Sequence, residues 1–293
     1  MTELSSTTGM AATAAHPPSA MLAVLGKAGG RLAWALYLVI LLAWLVFPIA
    51  LIVMASFEGN LEVSWSFSNL SLDAYMQIPR SYWEAFRFTV TVAVLATTVS
   101  LAIAVPAAWA LVRGKLRERR LVSNLVLLPD VVPQLILGIA LLTVFIPLRL
   151  SNTFAGVLLG LMALNLAMGL RFSEALLDGM PEEFEQAARS LGAGGLTTFR
   201  LIVLPMIAPG VAIAALFLFM QNLIAFELLF FIAGPRATPI SVLLFTDIVD
   251  RGVVPQAVAM SALLVYVGVL FYAAVALLLG PRYLAGTLIS RKG

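Results

Sequence analysis

Two carboxylates stand in otherwise apolar sequence, and they are the first candidates for chemistry. Asp130 lies in NLVLLPDVVPQLIL between Pro129 and Pro133, and Glu227 lies in AFELLFF. An ionised group in hydrocarbon costs at least about 2.5–3.5 kcal/mol on insertion scales, so it turns towards protein or a water-filled cavity. Pro129 and Pro133 remove backbone donors and leave carbonyls free beside Asp130. Glu227 has Phe219, Phe226, Phe230 and Phe231 around it, with Gln221 and Asn222 one to two turns earlier. A carboxylate beside aromatic faces suits an ammonium group. Asp130, Asn222, Phe226 and Glu227 are therefore the candidates for a solute pathway. The competing reading gives Asp130 a partner inside a helix bundle and Glu227 a bond between helices or a place near surface water. Asn165 reads as a hydrogen-bonding residue between helices.

Much other chemistry is excluded. The chain has no cysteine, and its one histidine, His16, sits beside Pro17 and Pro18 in a polar tail. That removes thiolate nucleophiles, cysteine metal sites and the usual nucleophile–base pairs, so neither a catalytic residue nor a metal ligand is expected. No GxxxxGK[ST] loop occurs; Gly26-Lys27 and Gly114-Lys115 lack both the earlier glycine and the hydroxyl residue. ATP cannot be cradled by that route, and no cofactor is expected on this chain.

The elements that must carry these residues follow from hydropathy. Hydrophobic residues make up 61% and charged ones 11% of 293 residues. A soluble domain carries about 25% charged residues, so the solvent of this chain is the bilayer. A helix rising 1.5 Å per residue needs about 20 apolar residues to cross. Six stretches qualify: Trp34–Phe57, Ala85–Val112, Leu121–Pro147, Thr153–Leu177, Ile207–Ala233 and Ala257–Leu279. The fold class expected is an all-α membrane protein with about six transmembrane helices.

Basic residues give an orientation. With the N-terminus inside, thirteen of the eighteen Lys and Arg fall in inner segments: Lys27, Arg31, Arg113, Lys115, Arg117, Arg119, Arg120, Arg171, Arg189, Arg200, Arg282, Arg291 and Lys292. Arg80, Arg87, Arg149, Arg236 and Arg251 fall outside. That asymmetry predicts both termini in the cytoplasm. The net charge of +3 is thus a topology signal, and no nucleic-acid partner is expected. Residues 1–33 read as a disordered cytoplasmic tail and 34–293 as the membrane domain. The polar stretch Glu58–Glu84, with Trp65, Tyr75, Tyr82 and Trp83, reads as an outer loop at the membrane surface, or as a docking face.

The inner loop 178–205, DGMPEEFEQAARSLGAGGLTTFRLIVLP, carries helix signals of its own. Pro181 suits a first helical position, and Glu182 and Glu183 complement the positive end of a helix dipole. Glu185 and Arg189 are four apart in the favourable order. Gly192, Gly194 and Gly195 break the helix, and Thr197 or Thr198 is placed to cap a second one.

The spacing of Ala187-Ala188, Gly192 and then Ile202-x-Leu204-Pro205 resembles the EAA loop of binding-protein-dependent ABC transporter permeases. That resemblance implies the type I ABC importer permease fold. In that family the loop is a coupling helix seated in a groove of the cytoplasmic ATPase subunit. It implies that Glu185, Gln186, Ala187, Ala188, Gly192, Ile202 and Pro205 couple to the ATPase. Gln186 stands where the family usually has glutamate, six residues before the glycine. Leu128-Pro129 with Val132-Pro133 and Gly138, AARSLGA, and Phe226-Glu227 followed by Gly234-Pro235-Arg236-Ala237-Thr238-Pro239 resemble the spermidine/putrescine (polyamine/opine-type) branch. The tail RYLAGTLISRKG resembles sugar permeases.

What the resemblance implies is a subunit of an importer in the bacterial inner membrane, without an ATPase site of its own. Its partners would be two cytoplasmic ATPase subunits holding ATP and Mg, a second permease chain or a copy of itself, and an extracytoplasmic binding protein. The mechanism implied is alternating access, and the cargo favoured is a polyamine or related amine. A carbohydrate permease and an ion-coupled secondary transporter are the alternatives.

Overall fold

A computed structural model describes residues 20–58, 70–114 and 118–279. His16, Trp65, Lys115, Arg117, the last three basic residues and the RYLAGTLISRKG tail lie outside them. The chain divides into two units, residues 1–51 and 52–293.

The first helix, α1 (Ala20–Ala55), carries the apolar span Ala33–Ala55 with mean hydropathy 2.9. It begins well before the expected start at Trp34. Ala20, Met21, Leu22 and Ala23 are strong helix formers, so residues 20–33 extend the helix where a disordered tail was expected.

In the second unit the helices are α2 (Asp73–Met76), α3 (Arg80–Arg113), α4 (Arg119–Val126), α5 (Leu128–Val131), α6 (Gln134–Phe145) and α7 (Phe154–Asp178). There follow α8 (Glu183–Ser190), α9 (Gly195–Thr198), a wider π turn over Phe199–Val203, α10 (Leu204–Ile224), α11 (Glu227–Ile232), α12 (Ile240–Arg251) and α13 (Pro255–Leu279). The described residues contain no strand, and five helical stretches are long and apolar enough to cross a bilayer.

Two of the six expected spans are interrupted. The third is divided into α4, α5 and α6. Val132 and Pro133 are extended, with ψ of 132° at both. Proline has no N–H and disfavours helix in the residue before it, so a helix cannot pass through this point unbroken. The 12 residues of α6 cover about 18 Å, short of the hydrocarbon thickness. The fifth span is divided at Ala225, where ψ turns to 125°, and Glu227 begins the separate six-residue α11.

The bundle is built on α3 and α7, which run parallel. Phe88 lies 5.8 Å from Phe154 near their starts. A Cβ added at Gly169 would sit 3.2 Å from that of Ala104 halfway along, and Arg113 bonds the Leu177 carbonyl at 3.0 Å at the far end. The buried face of α3 is rich in small residues, including Ala93, Ala96, Thr97, Ser100, Ala104 and Ala108. Small side chains let two backbones approach closely, which is how helices associate without a hydrophobic drive between them. The short α6 and α11 use the same device: a Cβ at Gly138 would stand 3.0 Å from the Leu228 carbonyl oxygen. Leu101 on α3 packs against Ala214 and Leu218 of α10.

Candidate functional site

At the end of the bundle where α3 and α7 finish, the chain leaves α7 at Asp178 and forms α8, a glycine turn and α9. Gly192 has φ of 88°, the left-handed region that glycine enters at no steric cost. Its N–H donates to the Arg189 carbonyl at 2.9 Å, and the Ala193 N–H donates to the Ala188 carbonyl at 3.0 Å. These two bonds are a Schellman motif, which satisfies carbonyls that the helix end leaves open. The turn is therefore set by local chemistry. Neither Thr197 nor Thr198 caps the second helix as expected. It starts at Gly195, and the Thr198 hydroxyl donates back to the Gly194 carbonyl at 3.1 Å.

Of the residues expected to meet a partner, Gln186, Ala187, Gly192 and Pro205 are exposed, while Ala188 and Ile202 are half-buried. Apolar side chains accompany them: Phe184 is 51%, Leu191 89% and Leu196 70% exposed. Glu185 departs from the set. It is 2% exposed and turns inward. Its Oε1 accepts from Arg113 Nε at 2.8 Å and its Oε2 from Trp109 Nε1 at 3.1 Å. The expected pair with Arg189 also forms, at 3.6 Å. Arg113 further donates to the Leu177 carbonyl at 3.0 Å and the Met180 carbonyl at 2.8 Å, and meets Glu182 at 3.4 Å. Beside this cluster Arg119 pairs with Asp178 at 3.3 Å, and the Ser123 hydroxyl donates to Glu174 at 2.8 Å.

Sequence reasoning counted Arg113 as a topology signal and passed over Trp109 and Phe199. The available clue was local: Trp109 and Arg113 are four apart on the last turn of a helix and so share one face.

The solute-pathway candidates are dispersed. Asn222 is buried between α10 and α3, where its amide donates to Thr97 Oγ1 at 3.0 Å and the Ala93 carbonyl at 3.4 Å. It binds helix to helix, the role expected of Asn165. Phe226 packs its ring against Phe230 at 5.5 Å and Phe245 at 4.7 Å. Glu227, next to it, is exposed, and Asp130 is exposed on α5. At the end of the bundle opposite α8, the Tyr75 hydroxyl meets Ser56 at 2.6 Å and Tyr266 at 3.4 Å. Burial pushes that hydroxyl up to about 12, the Ser56 bond opposing and Tyr266 adding to the rise. Among the described residues no three His, Cys, Asp or Glu converge as metal ligands would.

Residues 100–284 match the family described as binding-protein-dependent transport system inner membrane component. The molybdenum transport system permease protein ModB of Escherichia coli strain K12 is 32% identical over 154 residues, 48% of this chain and 67% of that one. The spermidine/putrescine transport system permease protein PotC of the same strain is 25% identical over 236 residues, 80% of this chain and 89% of that one. A chain in the crystal structure of a bacterial ABC transporter involved in the import of the acidic polysaccharide alginate shares the fold. Its TM-score is 0.69 at 19% identity, covering 89% of this chain and 98% of that one.

Proposed function

The chain belongs to the family of binding-protein-dependent transport system inner membrane components, and on that premise we propose how it is driven and what it carries. It is the multi-pass permease subunit of an ABC importer, the membrane part rather than the ATPase. In our reading α8, the Gly192 turn and α9 form the coupling element, lying in the cytoplasm and seated in a groove of the ATPase subunit. The observation that carries this is the exposure of Phe184, Leu191 and Leu196 on a loop whose backbone is fixed by its own hydrogen bonds. Large apolar side chains held in water favour a protein partner. Two ATPase subunits holding ATP and Mg, a second permease chain and an external binding protein complete the importer. Both termini lie in the cytoplasm.

For cargo we favour a polyamine or related amine. Glu227 is an exposed carboxyl residue next in sequence to Phe226, whose ring packs on those of Phe230 and Phe245, and a carboxylate with aromatic faces is a setting suited to an ammonium group. PotC is named for spermidine and putrescine, and ModB for molybdenum, so the relatives leave the cargo to be measured. Family membership sets aside the ion-coupled carrier.

The test is hydrolysis in the assembled complex. Ala188→Asp or Gly192→Asp places charge in the proposed seam, and at Gly192 also a side chain where φ is positive. Each should lower solute-stimulated ATP hydrolysis at least about tenfold while the chain still inserts in the membrane. Unchanged stimulation in both variants would overturn the coupling assignment.

A further inference from the structure

The eight residues of α8 bury a single side chain, and it is the carboxylate of Glu185. This helix is therefore held to the bundle by polar bonds rather than by an apolar face. Polar bonds are directional and apolar burial is not, so the attachment fixes an orientation as well as a position. Glu185 presents both oxygens to α3: one to Arg113 at 2.8 Å and one to Trp109 at 3.1 Å. Arg113, the last residue of α3, also grips the end of α7 through the Leu177 carbonyl and the connector through Met180. The Trp109 ring lies 5.1 Å from Phe199, where the π turn towards α10 begins.

By covalent connection alone α8 would follow α7 and α10. The link to α7 is the short non-helical segment 179–182, and the link to α10 runs through the left-handed Gly192, α9 and the π turn. The side chains add a third attachment, to α3.

We propose that Glu185, Arg113 and Trp109 form a clasp that makes α8 a rigid extension of α3. Displacement of the coupling loop is then delivered directly to α3, the helix at the centre of the bundle. Glu185 and Arg113 act as positioning residues, and Glu185 does not touch the ATPase. This rests on the reading that the loop docks on that subunit.

The chain has no cysteine, so spin labels can be placed at will. With Ala110→Cys on α3 and Ser190→Cys on α8, both exposed, the label distance should be narrow in the assembled complex. It should stay the same in nucleotide-free and ATP-trapped states. Glu185→Gln keeps the shape but replaces one acceptor by an amide donor facing donors. It should broaden the distance and lower solute uptake per ATP hydrolysed about tenfold, with the ATPase still co-purifying. Arg113→Lys keeps the charge and loses the planar fork; it should lie between the two. A narrow distance and unchanged uptake per ATP in both variants would overturn the clasp. So would loss of the ATPase with the distance unchanged, since Glu185 would then be a direct partner contact. Failure of the ATPase to co-purify with the unsubstituted chain would instead sink the docking reading beneath it.

Discussion

Glu185 and Glu227 exchange the places their neighbours in sequence give them. Glu185 sits among Glu182, Glu183 and Gln186 in a polar loop, yet it is buried with three cationic or N–H partners. Glu227 sits among phenylalanines in an apolar run, yet it is exposed at the start of α11. A carboxylate leaves water only where donors replace its hydration. The last turn of α3 supplies those donors to Glu185. The neighbours of Glu227 in sequence, Phe226 and Leu228, bring no side-chain donor, and the carboxylate stays exposed at the start of α11.

The contrast can be broken by substitution. Arg113→Ala should have the largest effect, because it strands a buried anion and two carbonyls. About 3 kcal/mol of stability should be lost, visible as an earlier thermal transition in detergent. A loss below about 1 kcal/mol would mean that water reaches Glu185 and that the two carboxylates differ little. Trp109→Phe is the finer cut. It retains the ring against Phe199 and removes the indole donor, so about 1 kcal/mol should go. If the same substitution costs as much as Arg113→Ala, ring packing rather than hydrogen bonding dominates the clasp.

Glu227→Gln should have the smallest effect on folding, within about 0.5 kcal/mol, as expected of an exposed site. Its signature should lie in transport, where uptake of putrescine slows several-fold while the thermal transition stays in place. Full putrescine uptake by Glu227→Gln would return Glu227 to a surface residue and remove the amine reading. A large loss of stability would erase the contrast with Glu185.

The parts of this molecule that were legible in the sequence are those set by short-range chemistry. Long apolar runs marked the membrane helices, because hydrocarbon admits no other spanning backbone for such segments. The helix–glycine–helix loop was legible because Gly192 alone accommodates the φ of 88° that closes its Schellman turn. The Glu185–Arg189 pair followed from helical spacing. The prolines at 129 and 133 were noticed, but their effect was underestimated. Pro133, with Val132 extended before it, divides the span outright, while Pro129 sits in the first turn of α5.

The direction in which each polar side chain points was decided by tertiary structure. Asn222 turns inward because Thr97 and the Ala93 carbonyl, more than 120 residues earlier in the chain, wait on α3. Glu185 turns inward because Arg113 and Trp109 end that same helix. The sequence by itself determined that this chain crosses a membrane as helices and which loop resembles the family's EAA loop, since hydropathy and turn chemistry act within a few residues. Only the folded bundle decided which charges are buried and which are exposed, because a buried charge is stable only beside donors that distant segments bring to it.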